Sequence, residues 1–266
     1  MVAELEDHQA LAVAEASARC VAKSRRLTSH GKLPPAVQVD YGAPLRDYWI
    51  SRAAKHTDDS YAGVPQSKFP EDLRVYEHLI WCSRADAVIE LGTHRGGSAL
   101  WFRDRLASLG KYWSAPPPSV ISVDLDTAPA SERLDATDPA WSESITLVRG
   151  DVLDPDLPRQ VASFLRPDAR CLVVEDAAHV YETTWAALVG FAGFVEPAGF
   201  LVVEDGCVDI EELRLSDDWP RGVLPAIRDW LGGPAGKEWI VREDLQLYGV
   251  TCHPGGYLQR RVRDTR

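Results

Sequence analysis

The sequence predicts an α/β fold, a doubly wound and mostly parallel sheet with helices on both faces. Three observations carry that expectation. Short, near-continuous apolar runs alternate with helix-length segments from Ser83 onward, a glycine-rich turn follows the first run, and the peptide Leu-Val-Val-Glu-Asp occurs twice, at Leu172–Asp176 and Leu201–Asp205. Parallel strands covered on both faces read as continuous apolar runs, whereas half-exposed strands alternate. Ligands of such sheets bind beyond the carboxyl ends of the strands, so acids that close an apolar run mark a candidate site.

Taken in order, Glu4–Arg26 is rich in Ala, Leu, Glu and Arg without Pro or Gly and predicts a helix, ended by His30-Gly31-Lys32-Leu33-Pro34-Pro35. From there to Pro70 the chain reads as irregular, and Tyr41, Tyr48, Trp49 and Tyr61 in that stretch suggest a lid or a subunit contact. Pro70-Glu71-Asp72 opens a helix to about Ser83, with Leu73, Tyr76, Leu79 and Ile80 on one face. Strands are then expected at Ala87–Leu91, Val120–Val123, Ile145–Val148, Leu172–Val174 and Phe200–Val203, and helices at Gly97–Leu109, Asp156–Phe164, Tyr181–Phe191 and Leu224–Leu231. Trp239–Val241 and Tyr248–Cys252 read as a closing antiparallel pair. The expected division is a lid over residues 1–70 and one domain over residues 71–266.

Composition narrows the function classes. A chain of 266 residues, 45% hydrophobic and 26% charged, buries one large core. No apolar run approaches the roughly 20 residues of a membrane-spanning helix, and the N-terminus lacks a basic start and an apolar signal core, so the expected location is cytoplasmic and away from membranes. The net charge of −11 argues against a nucleic-acid partner and leaves a cationic ligand open. Five cysteines without paired spacing read as reduced thiols rather than a zinc site.

Glu90-Leu91-Gly92-Thr93-His94-Arg95-Gly96-Gly97-Ser98 follows the first strand and opens a helix. Glycines let the backbone turn sharply beside a ligand, and the helix N-terminus offers free N–H groups. The dinucleotide fingerprint requires Gly-x-Gly-x-x-Gly, whereas the spacing here favours a ligand without a pyrophosphate, such as S-adenosylmethionine. Glu90, Gly92, Thr93, Gly96 and Ser98 form the candidate cofactor loop, Asp124 is placed for ribose hydroxyls, and Asp151 for the adenine amino group. Taken singly, each acid reads equally as a cap or turn residue.

The duplicated acids bring carboxylates to two neighbouring strand ends, with His179 three residues past Asp176. Carboxylates and an imidazole together suggest a metal and a base, with Asp176, Glu204 and Asp205 as the candidate ligands and His179 as the candidate base. By strand alternation Glu175 should point away, and Glu204 and Asp205 should both ligate only if the strand bends at its end.

Tyr61 to Leu73, the Glu90 to Ser98 loop, Asp176 with His179, Glu204-Asp205 and the tail Thr251-Cys252-His253-Pro254-Gly255-Gly256-Tyr257-Leu258 together resemble the cephalosporin hydroxylase and rhamnosyl O-methyltransferase family, over about Tyr48 to Arg261. The resemblance implies a class I methyltransferase fold, S-adenosylmethionine as cofactor with Lys68 among its binding residues, and antibiotic biosynthesis as the setting. The spacing of Asp176, His179, Glu204 and Asp205 is also similar to that of magnesium-dependent methyltransferases of macrolide sugars, where three acids hold the metal and the histidine is the base.

Two other classes compete. The family name suggests an iron oxygenase acting on a β-lactam-type substrate, for which His56-Thr57-Asp58 supplies a His-x-Asp spacing. A non-catalytic cofactor-binding partner protein is the other. Within the methyltransferase reading, the acceptor is a hydroxyl or amino group of a glycosylated or amino-sugar molecule, an aminoglycoside included, with Asp58, Asp59 and Glu71 near its ammonium groups. A homo-oligomer is compatible with the aromatic segment.

Overall fold

The computed structural model describes Gly42 and residues 44–262, so the helix expected over Glu4–Arg26 and the residue Tyr41 lie outside the described residues. Two short strands, β1 (Ser60–Tyr61) and β2 (Val64–Pro65), form a separate hairpin. Its turn residues, Ala62 and Gly63, both have positive φ, as a tight two-residue hairpin turn requires. The main sheet contains β3 (Ala87–Leu91), β4 (Ser119–Asp124), β5 (Ile145–Arg149), β6 (Cys171–Glu175), β7 (Phe200–Val203), β8 (Trp239–Val241) and β9 (Tyr257–Arg260), in the order β5-β4-β3-β6-β7-β9-β8. Strands β3 to β7 run parallel, and β9 lies antiparallel to β7 and β8.

The helices are α1 (Leu45–His56), α2 (Pro70–Ser83), α3 (Gly97–Gly110), α4 (Ala128–Thr137), α5 (Leu157–Ala162), α6 (Tyr181–Phe191) and α7 (Val223–Gly232). Strand alternation divides the core in two. Ile89, Val173 and Leu201 face a cluster that includes Val161 of α5, Leu188 of α6 and Ile227 of α7, while Val88, Leu172 and Val202 face Leu79 of α2 and Phe102 of α3. A sheet covered in this way is the doubly wound architecture expected from the sequence. No helix among the described residues is long and apolar enough to cross a membrane.

The structure corrects three expectations. Residues 45–56, read as irregular, form α1, and its Trp49 is 3% exposed within the same cluster as the sheet rather than on a lid surface. Trp49 packs on Phe69 with ring centroids 5.1 Å apart, and its Nε1 donates to the Leu213 carbonyl at 2.8 Å. Helix α4 was not anticipated, because only Ala130 and Leu134, four residues apart, are buried on it. The closing pair is Trp239–Val241 with Tyr257–Arg260, not with Tyr248–Cys252. The Cys252 amide instead donates to Asp72 at 2.9 Å, which turns the chain before β9 begins.

Trp49→Ala should cost about 3–5 kcal/mol, because it removes a buried ring and orphans the Leu213 carbonyl. Urea denaturation checks this. A loss below about 1 kcal/mol would mean that α1 contributes no core packing.

Candidate active site

The order of the sheet reverses between β3 and β6, so their loops leave in opposite directions and open a crevice at the carboxyl ends. A cleft of about 470 Å³ occupies that place, lined by Gly92 and His94 of the glycine loop, by Asp124 and Asp151 after β4 and β5, and by Asp176, His179 and Asp205 after β6 and β7. The strand ends are level because the ladder continues past them. The Gly92 amide donates to Val123, Asp176 to Leu91 and Glu204 to Glu175, each at 2.8 Å. Gly92 has φ +114°, and a Cβ there would lie 1.9 Å from the Asp176 carbonyl oxygen. Only glycine lets the loop pass this close to the end of β6.

Asp176, His179 and Asp205 each turn a ligand atom into one place, all within 4.8 Å of one another. His179 Nε2 stands 3.3 Å from Asp205 Oδ2, while its Nδ1 is buried without a hydrogen-bond partner. Both His179, φ 57°, and Asp205, φ 56°, adopt the left-handed backbone that non-glycine residues avoid. Such positions cost on the order of 1–3 kcal/mol each and persist where the surroundings impose them. Burial pulls the His179 pKa down, but Asp205, Asp176, Glu175 and Glu204 outweigh it and raise it above the ordinary histidine value. Two carboxylates beside an open cleft fit a small hard cation with positions left for oxygen ligands.

Glu204, the remaining candidate ligand, lies outside this set of atoms. Both its oxygens accept from Lys68 Nζ at 2.7 Å, and Oε1 also accepts from the Tyr76 hydroxyl at 2.5 Å. Lys68 Nζ donates to Asp176 Oδ2 as well, at 2.8 Å. Val203 ends β7, and the left-handed turn at Asp205 sends its carboxylate to the cleft while Glu204 keeps to the α2 side. Glu175 faces the other way, accepting from the Ala177 amide and the Thr184 hydroxyl at 3.3 Å each.

The candidate cofactor residues divide between two spaces. Asp124 and Asp151 line the main cleft, Lys68, Thr93 and Ser98 line a small cavity of about 30 Å³ between the hairpin and the glycine loop, and Gly92 lines both. Gly96 and Glu90 line neither. Gly96, φ +85°, turns the chain into α3 against Leu134 of α4. Glu90 lies buried under the loop, where it accepts from the Ser122 hydroxyl. Asp124 Oδ2 accepts from the Thr93 and His94 amides at 3.0 and 2.9 Å, so that oxygen holds the loop itself.

Sequence reasoning missed Tyr76, Asp72 and His253, which are buried behind the acids. The tail motif containing His253 was visible, but nothing in it indicated that the tail meets Asp205. Cys207 and Cys252, far apart in sequence, also meet, forming with Asp205 a second set of potential ligand atoms within 4.8 Å. Neither ligand set among the described residues contains His56 or Asp58, although His56 lines the cleft.

A protein-family model described as rhamnosyl O-methyltransferase/CmcI matches residues 54–261. No curated protein matches the sequence. Among solved structures, one of CmcI described with Mg and SAM is 22% identical, with TM-score 0.57 over 86% of this chain and 90% of that one. An apo structure of CmcI is 23% identical, with TM-score 0.58 over 87% and 91%. A CmcI structure with SAH is 20% identical, with TM-score 0.52 over 86% and 97%. At these identities the structures establish the shared fold.

Burial raises the Glu90 carboxyl to about 7, against the opposing pull of Lys68 and of the Ser122 and Ser98 hydroxyls. The folded state therefore binds this proton more tightly than the unfolded chain does. Its stabilisation is full below the ordinary glutamate range and declines as pH rises to about 7. Glu90→Gln should consequently gain melting temperature relative to the parent between pH 5 and pH 8, by roughly several degrees. A pH-independent difference would mean that Glu90 titrates normally.

Proposed function

Because the chain belongs to the rhamnosyl O-methyltransferase/CmcI family, we propose that it is an S-adenosylmethionine-dependent, magnesium-dependent O-methyltransferase whose acceptor is a hydroxyl of a glycosylated or amino-sugar secondary metabolite. The observation that carries this reading is the convergence of Asp176, His179 and Asp205 within 4.8 Å, beside a cleft that the glycine loop also lines. When bound, S-adenosylmethionine supplies an electrophilic methyl group, and magnesium lowers the pKa of a coordinated hydroxyl.

The chain's own residues have separate tasks. Asp176 and Asp205 hold the cation, and Lys68 keeps Glu204 behind them as its counterion. The loop from Gly92, with Asp124 and Asp151, binds the methyl donor. His179 removes the acceptor proton, a task suited to an imidazole once the neighbouring aspartates are neutralised and no longer hold it protonated. Positioning donor and acceptor at contact distance supplies most of the remaining acceleration. A hydroxyl acceptor is favoured over an amine because a base beside cation-binding carboxylates suits a group with a high pKa. The acidic balance of the chain, −11, favours an acceptor that carries ammonium groups.

Turnover with S-adenosylmethionine, magnesium and a panel of glycosylated acceptors tests this reading. Asp176→Ala should abolish methyl transfer, and near-normal turnover in that variant would defeat the metal proposal. His179→Ala should lower kcat by about 10²–10⁴-fold, with S-adenosylhomocysteine affinity little changed. An unaltered pH profile would count against a base at this position. Activity requiring iron and dioxygen would replace the reading altogether.

A further inference from the structure

His253 lies 2% exposed in the tail turn before β9, away from the cleft lining but in contact with the site from behind. The Asp205 amide donates to His253 Nδ1 at 3.1 Å. An imidazole nitrogen that accepts an N–H carries no proton itself, so the ring proton of the neutral form is on Nε2. That nitrogen stands 3.7 Å from Asp72 Oδ2 and 3.8 Å from Glu204 Oε2, on the acid-lined side of the ring.

The turn that carries the ring is itself held in place. Asp72, in the first turn of α2, accepts from the Cys252 amide and the Tyr257 hydroxyl, both at 2.9 Å. Thr251 Oγ1 accepts from the His253 amide at 3.0 Å. On the other side, the His253 carbonyl accepts from the Gly256 amide at 3.0 Å, and the Val203 amide donates to the Gly256 carbonyl at 2.9 Å. A chain of hydrogen bonds thus runs from α2 through the tail turn to Asp205, which occupies its disfavoured left-handed conformation at the end of it.

We propose that His253 is a positioning residue. Its Nδ1 holds the Asp205 amide and so fixes the left-handed turn that aims the Asp205 carboxylate at His179 and Asp176. The consequence for metal binding rests on the proposed role of Asp205, whereas the consequence for the backbone does not.

Two substitutions separate this role from simple packing. In His253→Asn the side-chain oxygen can replace Nδ1 as the acceptor, whereas His253→Gln sends its amide toward the Nε2 end and leaves the Asp205 N–H without one. Crystal structures of both variants without ligand should show Asp205 still left-handed and facing His179 in the Asn protein, and turned away in the Gln protein. Titration with MgCl2 should show affinity lowered about 10–100-fold by Gln, the range for residues that orient metal ligands, and largely kept by Asn. Thr251→Val, which removes the acceptor of the His253 backbone amide and so loosens the turn that carries the ring, replaces Gln if that protein does not fold and should give a smaller displacement in the same direction.

An unmoved Asp205 in the Gln or Val protein, or equal displacement in Asn and Gln, would overturn the role. Failure of the parent protein to bind magnesium would count against the proposed function, while the crystal structures would still decide whether His253 positions Asp205.

Discussion

An ammonium group whose side chain is only 2% exposed must be matched by carboxylates, and Lys68 is matched by two, from the ends of adjacent strands. Burial alone would drive its pKa down, but Asp176, Glu204 and Glu90 outweigh that and hold it well above the ordinary lysine range. Lys68 is therefore a permanent cation in the wall of the site. Removing any one partner from such a cluster leaves a buried charge uncompensated, which costs more than the pair contributes when intact. This pairing sets the division of labour among the acids. Glu204 is occupied with Lys68 and Tyr76, and Asp205 is the acid of β7 left to face the cleft.

Strand alternation underlies that division. A regular strand would send Glu204 and Asp205 to opposite faces of the sheet. The left-handed turns at Asp205 and His179 then bring two side chains from different strand ends against each other. Gly92 completes the arrangement by yielding space to the Asp176 carbonyl. The site is thus made as much by three unusual backbone positions as by its acids.

The parallel strands were legible because burial on both faces leaves an uninterrupted apolar run, and the acids Asp176 and Asp205 were legible because they end such runs. Helices α1 and α4 were not, since each buries only a pair of residues four positions apart and shows little else of an amphipathic pattern. The Lys68 contacts were hidden for a different reason. They join residues 108 and 136 positions apart, and no local pattern reports a contact at that separation. Alternation separates Glu204 from Asp205, but which of the two reaches the cleft follows from contacts with Lys68 and Tyr76 that no local pattern reports.

The electrostatics of the cleft bear on the proposed reaction. Asp124, Asp151, Asp176 and Asp205 line it, and among its described lining residues there is no lysine or arginine. Lys68 lies behind Asp176, but acids still outnumber cations around the cleft, and that excess favours a cation over a neutral molecule of the same shape. A methyl donor enters such a cleft as a sulfonium and leaves as a neutral thioether. The attraction is therefore strongest before transfer and falls as the methyl group departs. Acids so placed hold a neutral product less firmly than its cationic precursor, so under the proposed reaction the charge change favours release of the spent donor.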